Sequence, residues 1–233
     1  FDFFWLEANP ANGLIKDRST AGSPSSIAAV GFGLSALCIG SERGWVSRAA
    51  PPQRVRTTLE TFWNGPQSSA ATGTIGYKGF FYHFLNMTTA TRDGTCELST
   101  IDTALLMAGV LDARQYFDGP DTTEGRVRAL ADSLYRRVDW NVMRNFNQGI
   151  MMGWKPGTGF QNFGQWVGYN EAMILYLLAL GSPTHPVPVS AWSKWTSGYV
   201  WDTQYGYSYL KFQPLFGHQY SHCWVDFREI ADF

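Results

Sequence analysis

Two carboxyl groups flanking a glycosidic bond, one protonated and one ionised, suffice to cleave it, and their separation decides between inversion and retention at the anomeric carbon. The chain sets several acids where a ligand would reach them. Glu97 and Asp102 stand before and within the first turn of a helix whose start is marked by Ser99, and Glu171 stands in the first turn of a helix expected from Tyr169. Glu7 and Asp17 fall in the first loop, and Asp226 lies near the C-terminal end. Each acid also has a purely structural reading. Ser99-Thr-Ile-Asp102 matches a capping box, which alone would account for Asp102, and a carboxylate at a helix start gains about 0.3–1 kcal/mol from the helix dipole. Asp226, two residues before Arg228, reads as an ion pair. The surroundings of Glu171, Gln165-Trp-Val-Gly-Tyr-Asn-Glu171, are more polar and aromatic than a cap requires, which favours a functional role there.

Around these acids the chain concentrates flat rings with hydrogen-bonding tips. The stretch Tyr205 to Glu229 carries His218, Gln219, Tyr220, His222, Trp224, Asp226 and Arg228, and the loop before Glu171 carries Trp154, Trp166 and Tyr169. Such a mixture suits a ligand with apolar faces and hydroxyls, namely a sugar, although Trp, Tyr and His also line ordinary half-buried interfaces. Aromatic residues make up 16% of the chain, as much as all charged residues, so polar recognition falls largely to rings, amides and hydroxyls. A formal net charge of -1 gives no electrostatic ground for a nucleic acid or anionic membrane partner. No apolar run approaches the roughly 18 residues of a membrane span.

Other chemistries lack their signatures. No phosphate-binding glycine motif, nucleophile elbow or HExxH is present, and His218 and His222, four apart, lack the glutamate of that motif. Cys38, Cys96 and Cys223 are widely spaced without a CxxC pair, so neither a zinc knuckle nor a disulfide framework is expected. No cofactor and no metal is expected.

The elements that position these residues read as repeated helical hairpins. Helices are expected over Pro24 to Ser41 with Ser23 as cap, Pro51 to Asn64, Ser99 to Phe117, Asp121 to Val138 starting at Asp121-Thr-Thr-Glu124, Tyr169 to Leu180 and Val189 to Thr196, bounded by Ser, Thr or Asp caps and by Gly and Pro stops. Long Gly- and aromatic-rich loops, Gln67 to Glu97 and Asp139 to Gly168, follow the hairpins, the first expected to hold a short β-hairpin or an ordered loop and the second two short strands about a turn at Pro156, Gly157 and Gly159. The period is roughly 70 residues. The fold class is therefore all-α, with hairpins stacked as an open array or curved into an α/α toroid. In a toroid the loops would gather Trp5, Trp154, Trp166 and Trp224 around one cleft. Arg114, Arg126, Arg128, Arg136 and Arg137 read as solvated charge. The 233 residues are expected to form a single domain, and both ends, FDFFWLEAN and Asp232-Phe233, read as cut or processed.

Taken together, FFWLEANPANGLIKDRS, PSSIAAVGFGLSAL, GTIGYKGFFYHFL, CELSTIDTALLMAGVL, GYNEAMILYLLAL and PLFGHQYSHCWVDFR resemble the bacterial glucoamylase-like family, which includes endo-β-1,2-glucanases and the glucoamylase-like domain of cyclic β-1,2-glucan synthases. The resemblance spans nearly the whole chain. It implies an (α/α)6 toroid, a glucan substrate, a periplasmic or secreted place, and a cleft lined by Glu97 and Asp102 of ELSTID and by Glu171 of YNEAM. The number of helices visible is smaller than six pairs, so the ring is expected to be open or completed by the remainder of the polypeptide. The expected activity is inverting hydrolysis of β-1,2-glucan with Glu171 and Asp102 as acid and base and Glu97 in reserve. Sugar contacts are expected from Trp154, Trp166, Tyr169, His218, Gln219, Tyr220, Trp224, Asp226 and Arg228. A non-catalytic glucan-binding module and a transglycosylating domain are the competing readings.

Overall fold

Cap and stop residues set most helices close to where the periodicity puts them. The computed structural model describes residues 1–230, so Asp232 and Phe233 lie outside the described residues. After the short α1 (Asp2–Leu6), the helices pair as α2 (Ile27–Glu42) with α3 (Ala50–Asn64), α4 (Thr100–Tyr116) with α5 (Thr122–Arg137), and α6 (Met173–Leu180) with α7 (Val189–Thr196). A short α8 (Phe216–Gln219) runs into a 3-10 turn, Tyr220–Cys223.

Two starts differ from expectation. α2 begins at Ile27, capped by Ser26 rather than Ser23, because β1 (Ser25–Ser26) first pairs antiparallel with β4 (Phe84–Leu85). The extended backbone this imposes on Ser26 is the conformation an N-cap needs. α6 begins at Met173 rather than Tyr169, because Asn170 turns its side-chain oxygen back onto the Ala172 amide at 3.0 Å and holds a turn there. Glu171 consequently precedes its helix, which weakens the dipole reading of that acid.

The helices form two layers. α4 packs against α2 on one side and α6 on the other, while α3 and α5 pack together behind them. α2 buries one broad face, from Ile27, Val30 and Leu34 to Leu37 and Cys38, and leaves Ile39 on the other side exposed. Its backbone meets that of α4 directly: a Cβ on Gly109 would lie 2.0 Å from the Gly31 carbonyl oxygen, and one on Gly31 would lie 2.3 Å from that of Leu105. α5 shows one apolar stripe, Val127, Leu130, Ala131 and Leu134. Two of its arginines are not simply solvated. Arg128 donates to the Phe117 and Gly119 carbonyls beyond α4, and Arg137 to the Phe62 and Trp63 carbonyls at the end of α3, satisfying acceptors that a helix C-terminus leaves open.

The loops gather over the starts of α2, α4 and α6, where short strands stitch them together. β2 (Gly76–Tyr77) and β3 (Phe80–Phe81) form the expected hairpin, with Lys78 and Gly79 at φ 56° and 83° in its turn. β5 (Leu98–Ser99) pairs with β6 (Gly153–Trp154), so the partner of β6 is the preceding loop and not, as expected, the far side of the Pro156–Gly159 turn, where a single Lys155–Gly159 bridge forms. β7 (Trp201–Gln204) and β8 (Tyr207–Leu210) make an exposed hairpin. Among the described residues no helix is long and apolar enough to cross a membrane, and Cys38, Cys96 and Cys223 are unbridged.

Candidate active site

The pairing of β5 with β6 presents Ser99 at the head of α4, and Ser99 makes only half of the expected capping box. Its hydroxyl accepts the Asp102 amide at 3.2 Å and donates to Asp102 Oδ2 in a short hydrogen bond, so the Asp102 carboxyl is engaged by its own cap. Burial raises the pKa of Asp102, against the pull of the His83 charge and the Ser99 hydroxyl.

Across from it, the β3–β4 connection carries His83. The backbone amide of His83 donates to the Glu97 carbonyl at 2.9 Å, and its carbonyl accepts the Ile27 amide at the start of α2. This fixes the ring between two acids, with Nδ1 2.9 Å from Glu97 Oε1 and Nε2 3.6 Å from Asp102 Oδ2. The hydrogen bond from His83 holds the Glu97 carboxyl below its ordinary pKa, outweighing burial.

Glu171 completes the group from the turn before α6. Burial raises its pKa, and the charge of Asp102 raises it further, which puts the two carboxyls within electrostatic reach. Among the described residues no lysine or arginine pairs with it. Tyr220 joins from the C-terminal segment: burial and then the charges of Glu171 and Asp102 raise its phenol pKa. Its ring rests edge-on against Phe32 of α2, which also carries Trp224. A pocket of about 520 Å³ opens beside Tyr220, lined by Phe32, His218, Gln219, Tyr220, His222 and Cys223.

The remaining expected residues divide between this neighbourhood and other places. Tyr169 lies against His218, centroids 4.9 Å apart, and His218 Nε2 contacts the Phe212 carbonyl at 3.0 Å. His222 packs on Phe227, so the two histidines have separate partners. Trp154 packs on Tyr77 beside the β6 turn. Trp166 and Trp224 spend their indole N–H groups on Thr100 and Ser35, at 3.0 and 2.8 Å. Gln219 is exposed. Trp5 does not join the other rings: the Arg54 guanidinium covers it at 3.6 Å. Asp226 and Arg228 form an exposed ion pair at 2.6 Å, on a larger groove of about 1080 Å³ between the C-terminal segment and the α4 and α6 faces. Glu7 pairs with Lys16 and Asp17 with Arg18. Among the described residues no His, Cys, Asp and Glu cluster suits a metal ion.

Sequence reasoning passed over His83 and Phe32. A signal for His83 existed: it is the one imidazole in the aromatic run Gly79-Phe-Phe-Tyr-His-Phe-Leu85. Phe32 had none, since an aromatic on an apolar helix reads as core.

The scaffold of helical hairpins, with its acids near the loop rim, has counterparts among known proteins. Residues 164–233 match the family model described as "Putative glucoamylase". The chain is 30% identical over 207 residues to an exo beta-1,2-glucooligosaccharide sophorohydrolase (non-reducing end) of Parabacteroides distasonis, covering 84% of this chain and 27% of that protein. Among solved structures, a "putative glucoamylase" of Bacteroides uniformis superposes with a TM-score of 0.84 at 29% identity, covering 95% of this chain and 56% of that one. The endo-beta-1,2-glucanase of Chitinophaga pinensis, solved with sophorotriose and glucose, superposes with a TM-score of 0.82 at 25% identity, with the same coverages. The chain thus spans little more than half of these solved relatives and about a quarter of the curated one. Both the family-model match and the solved structures are to glucoamylase-like proteins, the family that its motifs resemble.

Proposed function

We propose that this chain carries the acid cluster of a glycoside hydrolase that cleaves β-1,2-linked glucan with inversion. The observation that carries the reading is the grouping of three carboxyls, Glu97 and Asp102 on either side of His83 and Glu171 within electrostatic reach of Asp102. Glu171, without a cationic partner, is the general acid and delivers its proton to the glycosidic oxygen. Asp102, with the Ser99 hydroxyl and His83 supporting its ionised form, is the base that draws a proton from the attacking water. Glu97 stays ionised beside them. Inversion calls for an acid–base separation of roughly 6.5–9.5 Å, room for that water.

Tyr220, Tyr169, His218 and Gln219 contact sugars near the acids, Trp154 with Tyr77 offers a stacking platform further along, and Trp166 and Trp224 shape the wall. The names of the Parabacteroides and Chitinophaga relatives support the β-1,2 linkage. In this reading the three hairpins belong to a single (α/α)6-like toroid, which the greater length of the solved relatives supports, and the remainder of the polypeptide closes the ring. Incubation with β-1,2-, β-1,3- and α-1,4-glucans, with products resolved by linkage and anomeric configuration, tests the proposal. Release of β-1,2-gluco-oligosaccharides with the α-anomer appearing first is expected. No release from β-1,2-glucan, or initial β-anomer, overturns it.

A further inference from the structure

His83 is poised between two carboxylates in a way that only one of its protonation states satisfies. A neutral imidazole has a single N–H and would turn a lone pair on either Glu97 or Asp102, whereas the imidazolium directs an N–H towards both. The ring has little freedom to turn away. Phe84 stacks on it with centroids 4.0 Å apart and planes 13° from parallel, and its backbone is bonded to Glu97 and Ile27 on either side.

We propose that His83 is a positioning residue that works as an imidazolium, keeping Glu97 ionised and aiming Asp102 Oδ2, and so sets the acid-side limit of the reaction. The inference rests on the hydrolytic reading above. The charges that face His83 are Glu97 from the strand leading into α4, Asp102 from α4 itself and Asp17 from the first loop; Lys155, from the loop after β6, acts on Glu97. Burial opposes the imidazolium, but the Glu97 hydrogen bond and the three acidic charges outweigh it and raise the pKa of His83. A clamp of this kind serves a base better than a lysine would, because its rigid ring fixes direction as well as charge.

The test combines a titration with kinetics on the intact protein. The sequence has only four histidines, so the imidazole signal lost in His83→Gln identifies His83 by NMR. The wild-type signal is expected to titrate above about 6.5, the ordinary value, and to fall back in Glu97→Gln. In His83→Gln the acid limb of kcat/KM is expected to move to higher pH by about one unit, with kcat reduced and KM nearly unchanged. A His83 that titrates at or below its ordinary value overturns the proposal. So does a variant that loses activity equally at every pH with the acid limb in place, as a merely structural role would require. The titration needs no substrate, so it decides the charge of His83 even if β-1,2-glucan is not cleaved.

Discussion

The ring of Phe32 meets Tyr220 edge to face with centroids 5.0 Å apart, and it also packs on Trp224 at 4.9 Å. One side chain of the first hairpin therefore seats the distant segment that brings a phenol to Glu171 and Asp102. Aromatic pairs contribute about 0.5–1.5 kcal/mol each beyond their buried area. Phe32→Ala is expected to lower Tm by several degrees and to reduce kcat/KM by more than Phe32→Leu, which keeps the volume. Calorimetry and steady-state kinetics on the two variants check this, and equal kinetics would separate Phe32 from the site.

Glu171→Gln keeps the shape of the side chain and removes its proton. A general acid contributes about 10²–10⁴ in rate, so kcat on glucan should fall by that order. A sophoroside with a good aryl leaving group needs little protonation and should lose far less. Equal losses on both substrates would remove Glu171 from the acid role.

Glu97 and His83 also make stability depend on pH. The depressed pKa of Glu97 stabilises the fold above its unfolded value near 4.3, and this is lost as pH falls through the folded value; the raised pKa of His83 stabilises below about 6.5 and is lost as pH rises through its folded value. The Tm gap between wild type and Glu97→Gln is therefore expected to be widest between about pH 4.3 and 6.5 and to narrow on both sides. Both side chains are about a quarter to a third exposed, so solvent keeps the gap small. Thermal melts across pH 3 to 9 measure it.

Asp121 caps α5 by accepting the Thr123 and Glu124 amides at 2.8 and 3.0 Å. Asp121→Ala should cost about 1 kcal/mol, or about 2–4 °C in Tm. Activity at 25 °C should be unchanged, because α5 lies in the rear layer. A loss of activity at that temperature without a loss of stability would contradict the layering.

The hairpins were legible in the sequence because their signals are local. Asp121, Ser99 and the Gly and Pro stops act within a turn or two, and α7 spans the very residues expected, Val189–Thr196. What reasoning along the chain missed depends on partners far away. Ser25 and Ser26 read as a helix start until Phe84 and Leu85 pair with them, and Trp154 pairs with Leu98 instead of its neighbours across the turn. The three acids could be picked out from their places at helix starts, and His83 stands out in its aromatic run, but nothing along the chain announces that His83 and Glu97 lie side by side.

Where Gly31 and Gly109 let α2 and α4 touch, their spacing is set by backbone atoms with no side chain available to yield. Asp102 rides on α4 and Phe32 on α2, so both are referenced to a contact that acts as a ruler. Substitution then has one inexpensive direction. Exchanging the loops that bear Trp154, Tyr169 or Tyr220 reshapes the rim, while the distance of Asp102 from α2 stays constant.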